Sequence, residues 1–473
     1  MTKKIRTKIV CTIGPASSSD KVLRQIIDSG MSVARLNMSH GSFDDHAKYI
    51  ETLRKAEESS KPVAIMVDLP ALKYRTGPLK DGEVLLEEGR EFTLTARHMV
   101  GDNSIVSVNA YSLVKEVKKG DDILVGDGEL TLRVEEVLED TIKCRVLVGG
   151  FLKEDRGLVV PGSFHTAPYI NDTMLHQIDF AVEHGIDYLA LSLIRNADDV
   201  KSVKQVLEDK GVALPIVSKI ETAEAVQNLD GIISASDGIM VARGDLGMEL
   251  PLEQVPMIQK QIVAKCNRLG RPVIVATQML ESMIHAPHPT RAEVADVANA
   301  VFDGTDAVML SAETSVGSYP KEAAAVMSRV LAEAENSFPY QQKLLGRGSD
   351  LVPQVDDAIA FAACHTAHQL GAKLIIAFTE SGATALRVAK YRPSVSIVGF
   401  TSSDVVRRKM ALVWGVKAYK VSLSQTIEDM FSNASKTALD LGLVTRGDLI
   451  VITGGSPLGT SGATNLLKVH VTD

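Results

Sequence analysis

Eight short apolar runs constrain this chain more than any other feature. They span 8–13, 32–36, 63–67, 187–191, 214–218, 238–242, 272–276 and 306–310, and helical patterns separate most of them. Runs of this length, bounded by glycine and charge, read as buried parallel strands. Alternating strand and helix implies parallel βα units, and eight units imply a closed (β/α)8 TIM barrel; a doubly wound open sheet is the competing arrangement. A barrel should gather its chemically capable residues just after the strands, at the C-terminal mouth. Arg35, Asn37 and His40 follow the second run, Asp68 the third, and Ser192 with Arg195 the fourth. Lys219 and Glu221 follow the fifth, Arg243 and Asp245 the sixth, Thr277 the seventh, and Ser311 with Glu313 the eighth. A random scatter of polar loop residues would not load one rim in this way.

One gap breaks the rhythm. Between Asp68 and about Pro161 there is no helical period, only short alternating segments such as 91–95 and 130–134 with turns between them. This stretch reads as a small all-β domain inserted over the barrel mouth, with Pro70 and Pro161-Gly162 as candidate hinges. A lid there would exclude water from the chemistry below it. After about residue 346 a second α/β pattern begins, with a helix at 356–370 and strands near 373–378, 396–400, 416–421, 448–452 and 465–471. The expected class is α/β. The expected domains are a barrel (1–69 and 162–345), an inserted β-barrel lid (70–161) and a C-terminal α/β domain (346–473). Loops 379–384 and 453–459 are rich in small residues with free backbone N–H groups. They can cradle a phosphate or be plain turns.

Composition removes several classes. A net charge of -8 argues against binding a polyanion by charge alone, and one tryptophan with 4% aromatic residues leaves no stacking platform for nucleic acid. The four cysteines are far apart and form no CxxC pair, so neither a disulfide framework nor a structural zinc site is expected. The first residues carry charge and no apolar signal core, and no long uncharged apolar stretch would span a membrane. A cytoplasmic enzyme without membrane or nucleic-acid partners is expected.

The chemistry concentrates in Ser218-Lys219-Ile220-Glu221 and Ala242-Arg243-Gly244-Asp245-Leu246-Gly247, at the ends of neighbouring strands. Two carboxylates can hold a divalent cation, and a lysine beside them can stabilise an anionic oxygen. Surface ion pairs at strand ends are the plainer alternative. Together with the strings at 8–17, Asn37-Met38-Ser39-His40-Gly41, 276–283 and Pro289-Thr290-Arg291-Ala292-Glu293, these segments resemble the pyruvate kinases over the barrel, insert and C-terminal domain.

The resemblance implies transfer of the phosphoryl group of phosphoenolpyruvate to ADP, giving pyruvate and ATP, the last step of glycolysis. It implies Mg2+ or Mn2+ on Glu221 and Asp245, Lys219 against the transferring phosphoryl group, and Arg35 on phosphate oxygens. Gly244 and Asp245 would offer N–H groups to the substrate carboxylate. Thr277 would pass a proton to the enolate carbon through water, or cap the following helix. Nucleotide contacts carry over to Asn37, His40, Arg75 and Arg156; the last has a loosely matching neighbourhood and by itself reads as a solvated charge. Potassium-site positions correspond to Asn37, Ser39, Asp68 and the Leu69 carbonyl. Lys73 stands where potassium-requiring members carry glutamate, so no K+ requirement is expected. The usual Gly-Pro of that loop is missing here. A homotetramer is implied, with the C-terminal domain serving effector binding and oligomerisation. Its effector loop would use Thr379, Ser381, Gly382 and Thr384, where Glu380 disfavours a doubly phosphorylated sugar. A metal-dependent carbon–carbon lyase on a related barrel and a catalytically silent sensor are the competing functions.

Overall fold

The computed structural model describes residues 5–58, 61–71, 73–126, 128–162, 168–350, 352–422, 426–457 and 464–473. The expected barrel is present. Its strands are β1 (Lys8–Thr12), β2 (Met31–Asn37), β3 (Ala64–Leu69), β4 (Tyr188–Leu191), β5 (Ile216–Ile220), β6 (Gly238–Ala242), β7 (Val273–Ala276) and β8 (Ala307–Leu310). They close into one barrel in which every neighbouring pair is parallel. Burial on both faces explains the continuous apolar runs. Val10, Val33, Met66, Ala190, Val217, Met240 and Ile274 belong to one buried cluster. Alternate residues such as Ile9, Leu36, Ile65, Ile216 and Val275 pack in another, with the helices. No described helix is long and apolar enough to cross a membrane.

The insert between β3 and β4 is nearly all strand. Seven strands form one sheet in the order 74–75, 157–159, 122–125, 130–137, 141–148, 91–95 and 105–107. Its two edge strands meet at the bridge Thr76↔Val108, where the Gly77 N–H donates to the Ser107 carbonyl at 2.7 Å and the Asn109 N–H to the Arg75 carbonyl at 3.1 Å, so the sheet curls round on itself. A five-residue helix, Ser112–Glu116, also appears; it is too short to leave a helical period in the sequence.

The C-terminal domain carries β9 (Leu374–Phe378), β10 (Ser396–Thr401), β11 (Val416–Lys420), β12 (Leu449–Gly454) and β13 (Leu466–Val471) in one sheet, with β13 antiparallel to β12. It docks on the barrel end opposite the mouth. Ala411 and Leu412 join the inner apolar cluster there. Charges fix the seam. Asp187, fully buried just before β4, accepts from Arg54 Nη2 and Arg408 Nε, each at 2.9 Å, and from the Ile65 N–H at 2.8 Å. Asp306, just before β8, accepts from Arg392 Nη1 at 2.8 Å and the Val273 N–H at 3.0 Å. Glu57 accepts from Arg407 Nη2 at 2.9 Å, and the guanidinium groups of Arg392 and Arg6 lie 4.7 and 5.8 Å from the Trp414 ring centre. A buried carboxylate stripped of such a partner costs about 3–5 kcal/mol.

Candidate active site

Strand alternation decides which polar groups meet at the mouth. Val33, Met66, Ala190 and Val217 face the barrel interior. Two residues further along each chain stand Arg35, Asp68, Ser192 and Lys219, on the same inward side. Arg35, Asn37, Asp68 and Lys219 thus lie within strands rather than after them, which corrects the spacing-based expectation. The ladder continues through them because three of them find partners across the interior. Asp68 accepts from Arg35 Nε at 2.7 Å, Ser192 Oγ at 3.2 Å and Lys219 Nζ at 3.3 Å. Arg35 Nη1 donates to Thr12 Oγ1 at 3.0 Å, and Nη2 has no partner among the described residues. Lys219 Nζ also donates to Ser192 Oγ at 2.8 Å and lies 2.8 Å from Glu221 Oε1.

Glu221 is fully buried, and its Oε2 accepts the Leu193 N–H at 2.7 Å. Its Oε1 has the Lys219 ammonium nearby but no aligned hydrogen bond. Asp245 stands beside it, in the first turn of the helix Arg243–Glu249, with Lys73 Nζ 2.5 Å from Oδ1. Burial pulls the Lys219 pKa down, but Asp68 and Glu221 outweigh it, so the ammonium is favoured overall. Burial pushes the Glu221 carboxyl up; Lys219 opposes this, and the Asp245 charge adds to it, leaving it raised. Burial also acts to raise Asp245, but Lys73 and Lys219 outweigh it and hold it below the usual carboxylate range.

These two carboxylates suit a hard divalent cation. One buried oxygen lacks an aligned donor, and Mg2+ commonly takes only one or two carboxylates while keeping water and substrate oxygens. No group of three or more His, Cys, Asp or Glu among the described residues could cage a metal by itself.

Thr277 leaves β7 with φ 64°, and Gln278 follows with φ 55°. Left-handed backbone at non-glycine residues costs about 1–3 kcal/mol each. Arg243 holds this turn: Nε donates to the Ala276 carbonyl at 3.2 Å and Nη2 to the Thr277 carbonyl at 2.7 Å, while Nη1 is anchored on Asp296 at 2.8 Å. The Thr277 hydroxyl donates to the Ala276 carbonyl at 2.6 Å and accepts the Gly244 N–H at 2.9 Å. It therefore caps the neighbouring helix after β6, not the one that follows it in sequence. The Gly244 amide is engaged by the same bond.

A cavity of about 240 Å³ opens between insert and barrel, and Lys73, Arg75, Arg156, Glu221, Asp245 and Met248 help line it. Arg75 Nη1 donates to the Asp155 carbonyl at 2.8 Å, and the Arg156 N–H to Thr76 Oγ1 at 2.9 Å. Asn37 and His40 do not line this cavity. Asn37 Oδ1 accepts the Ser39 N–H at 3.2 Å, and the exposed His40 has its carbonyl 2.8 Å from His46 Nε2. The Leu69 carbonyl accepts the Ser192 N–H at 3.2 Å. In the C-terminal domain, Thr379 Oγ1 accepts the Gly382 N–H at 2.9 Å and Thr384 Oγ1 meets Thr464 Oγ1 at 2.8 Å, while Ser381 is exposed. Leu458 and Gly459 of the second small-residue loop lie outside the described residues.

Sequence reasoning missed Asp296, which sits mid-helix, 53 residues from the arginine it anchors. It also missed the Leu193 amide, which reaches Glu221 through a backbone φ of 51° that no residue type announces.

Comparison with known proteins agrees with this architecture. Residues 4–324 match the family model described as the pyruvate kinase barrel domain, and 357–470 the pyruvate kinase alpha/beta domain. Pyruvate kinases of Staphylococcus epidermidis (ATCC 35984) and Staphylococcus aureus (MRSA252) are each 42% identical over 469 residues, covering 98% of this chain and 80% of theirs. A crystal structure of a pyruvate kinase from Cryptosporidium parvum superposes with a TM-score of 0.94 at 40% identity, covering 99% of this chain and 96% of that one. With both domains matched, and relatives aligned along nearly the whole length, the chain belongs to the pyruvate kinase family and is an enzyme.

Proposed function

We propose that this pyruvate kinase transfers the phosphoryl group of phosphoenolpyruvate to ADP at the cleft between barrel and lid, with Mg2+ or Mn2+ held by Glu221 and Asp245. One observation carries this reading: the buried Lys219, the buried Glu221 and the half-buried Asp245 converge at the barrel mouth, beside a cavity lined by two lid arginines.

The residues divide the work by charge. The bond from the enol oxygen to phosphorus breaks as an ADP oxygen bonds to phosphorus, leaving the enolate of pyruvate. Lys219, held as an ammonium, offsets charge on the moving phosphoryl group and on that enolate oxygen. Arg35 has its free Nη2 to grip a phosphate oxygen while Asp68 fixes its orientation. Substrate carboxylate arriving at Gly244 would take over the N–H now given to Thr277. The Thr277 hydroxyl would then be free to pass a proton, through water, to the enolate carbon. Arg75 and Arg156, which line the cleft, would meet the nucleotide phosphates, and Asn37 and His40, which do not line it, would reach the nucleotide from the end of β2. The divalent ion, when bound, would supply the positive charge that gathers donor and acceptor oxygens.

The deciding assay is pyruvate formation from phosphoenolpyruvate with Mg2+, with and without ADP. Pyruvate that appears only with ADP supports the kinase; pyruvate at the same rate without ADP would mean hydrolysis of the phosphate ester and overturn it, and no pyruvate at all would leave the lyase or the silent sensor. The homotetramer expected from the resemblance belongs to the same proposal, and a monomer mass in light scattering at micromolar concentration would remove it.

Potassium independence is also part of this reading. The cleft holds the Lys73 ammonium, and two cations 4 Å apart repel by about 4 kcal/mol at an effective dielectric near 20. Activity in sodium or tetramethylammonium buffer should rise by less than about tenfold on adding KCl at constant ionic strength. Lys73→Glu should create a potassium requirement. A larger rise in the wild type contradicts the assignment.

A further inference from the structure

Lys73 sits where insert and barrel meet, between β3 and the first insert strand Tyr74–Arg75. Its backbone belongs to the insert: its carbonyl accepts from Asn109 Nδ2 at 3.0 Å, and Asn109 Oδ1 accepts the Arg75 N–H at 2.9 Å. Its side chain belongs to the barrel, where the ammonium reaches Asp245 Oδ1 at 2.5 Å. One residue thus straps the two bodies together across the cleft.

The strap ends on a proposed metal carboxylate. Glu221 has one ammonium, Lys219, and Asp245 has another, Lys73. With Asp68, which shares Lys219 and holds Arg35, three positive and three negative charges balance before any metal arrives. A divalent ion entering between the carboxylates upsets this balance, and one ammonium must yield. Lys219 is buried and held by Ser192 and Asp68 as well as Glu221. The Lys73 side chain is 41% exposed, and its ammonium makes no other hydrogen bond among the described residues, with only the charge of Glu221 attracting it besides Asp245. Lys73 is the group free to leave, and when it leaves, its tie between insert and barrel goes with it, while the Gly162 N–H at the second hinge stays 3.4 Å from Glu249 Oε2.

We propose that Lys73 is a tethered cation that competes with the divalent ion for Asp245, so that metal entry releases the hinge of the lid. This rests on the reading of Glu221 and Asp245 as metal carboxylates. The displaced ammonium stays in the cleft on its backbone tether, available to the anionic substrates. Polyanionic substrates would favour the metal-bound, strap-released state by attracting both cations.

The test uses Mn2+ as probe on the full chain without substrates, with free Mn2+ read by electron paramagnetic resonance. Wild type, Lys73→Met, Lys73→Arg and Asp245→Asn are compared. Lys73→Met should bind Mn2+ about tenfold or more tightly than wild type, because the competing charge is gone, and Lys73→Arg should return toward wild type. Hydrogen exchange at the hinge should rise on adding Mn2+ to wild type, and be high without Mn2+ in Lys73→Met. Mn2+ affinity of Lys73→Met within about twofold of wild type, with Asp245→Asn clearly weakened, overturns the competition alone. Undiminished binding by Asp245→Asn overturns the metal-site reading and the competition with it.

Discussion

Replacing Lys219 with methionine is expected to lower kcat by about 10²–10³-fold while KM for phosphoenolpyruvate changes little. Methionine keeps the length and apolar stem that fill the barrel mouth, so the change removes charge more than volume. In the resting enzyme that charge serves Asp68 and Glu221. Asp68 retains Arg35 and Glu221 retains the Leu193 N–H, so neither carboxylate is left bare. The loss should fall on the transition state, where negative charge builds on the phosphoryl group and the enolate oxygen. A pH signature should accompany it. Burial already raises the Glu221 carboxyl, and Lys219 is the first charge opposing that rise. Without Lys219 the carboxyl of the metal-free enzyme rises further, so as pH falls the variant loses its Glu221 carboxylate, and with it the uptake of the divalent ion, before wild type does. Steady-state kinetics across mildly acidic pH check both parts. Equal losses in kcat and in substrate binding would mean that Lys219 only holds the ground state.

Asp245→Ala should remove turnover, by about 10³-fold or more, while leaving the barrel folded. Metal-assisted charge stabilisation supplies several kcal/mol, and each 1.36 kcal/mol is tenfold in rate. Asp245 sits on a short rim helix, and Lys73 is its hydrogen-bond partner there. Its removal strips no buried donor. Glu221→Ala should be as inactive but less stable, because the Leu193 N–H loses its acceptor, at about 1–3 kcal/mol. Circular dichroism and thermal melting separate the two effects. Wild-type metal dependence in Asp245→Ala would sink the assignment.

The barrel was legible because parallel strands buried on both faces leave continuous apolar runs, and the eight runs at 8–13 through 306–310 correspond to the eight strands. The rim residues were legible for the same reason, since they follow those runs directly. Their depth was not. Asp68 and Lys219 read as loop residues because charge ends an apolar run on paper, whereas pairing across the barrel lets the strand continue through them. Contacts that join distant segments left no trace: Arg243 with Asp296, Lys73 with Asp245, Thr277 with Gly244. In the sequence Lys73 is a change of charge beside a potassium position; only the fold reveals that it reaches a carboxylate on the helix after β6.

The seam at the far end of the barrel limits how this chain can be recombined. Asp187, Asp306 and Glu57 project from barrel segments, and Arg408, Arg392 and Arg407 answer them from the C-terminal domain. A foreign module grafted after residue 346 would have to present guanidinium groups at those same three places, and an apolar plug equivalent to Ala411 and Leu412. Domain shuffling in this architecture is thus a matter of matching a keyed surface, and a joint chosen by linker length alone would leave the barrel with charges it cannot hydrate or pair.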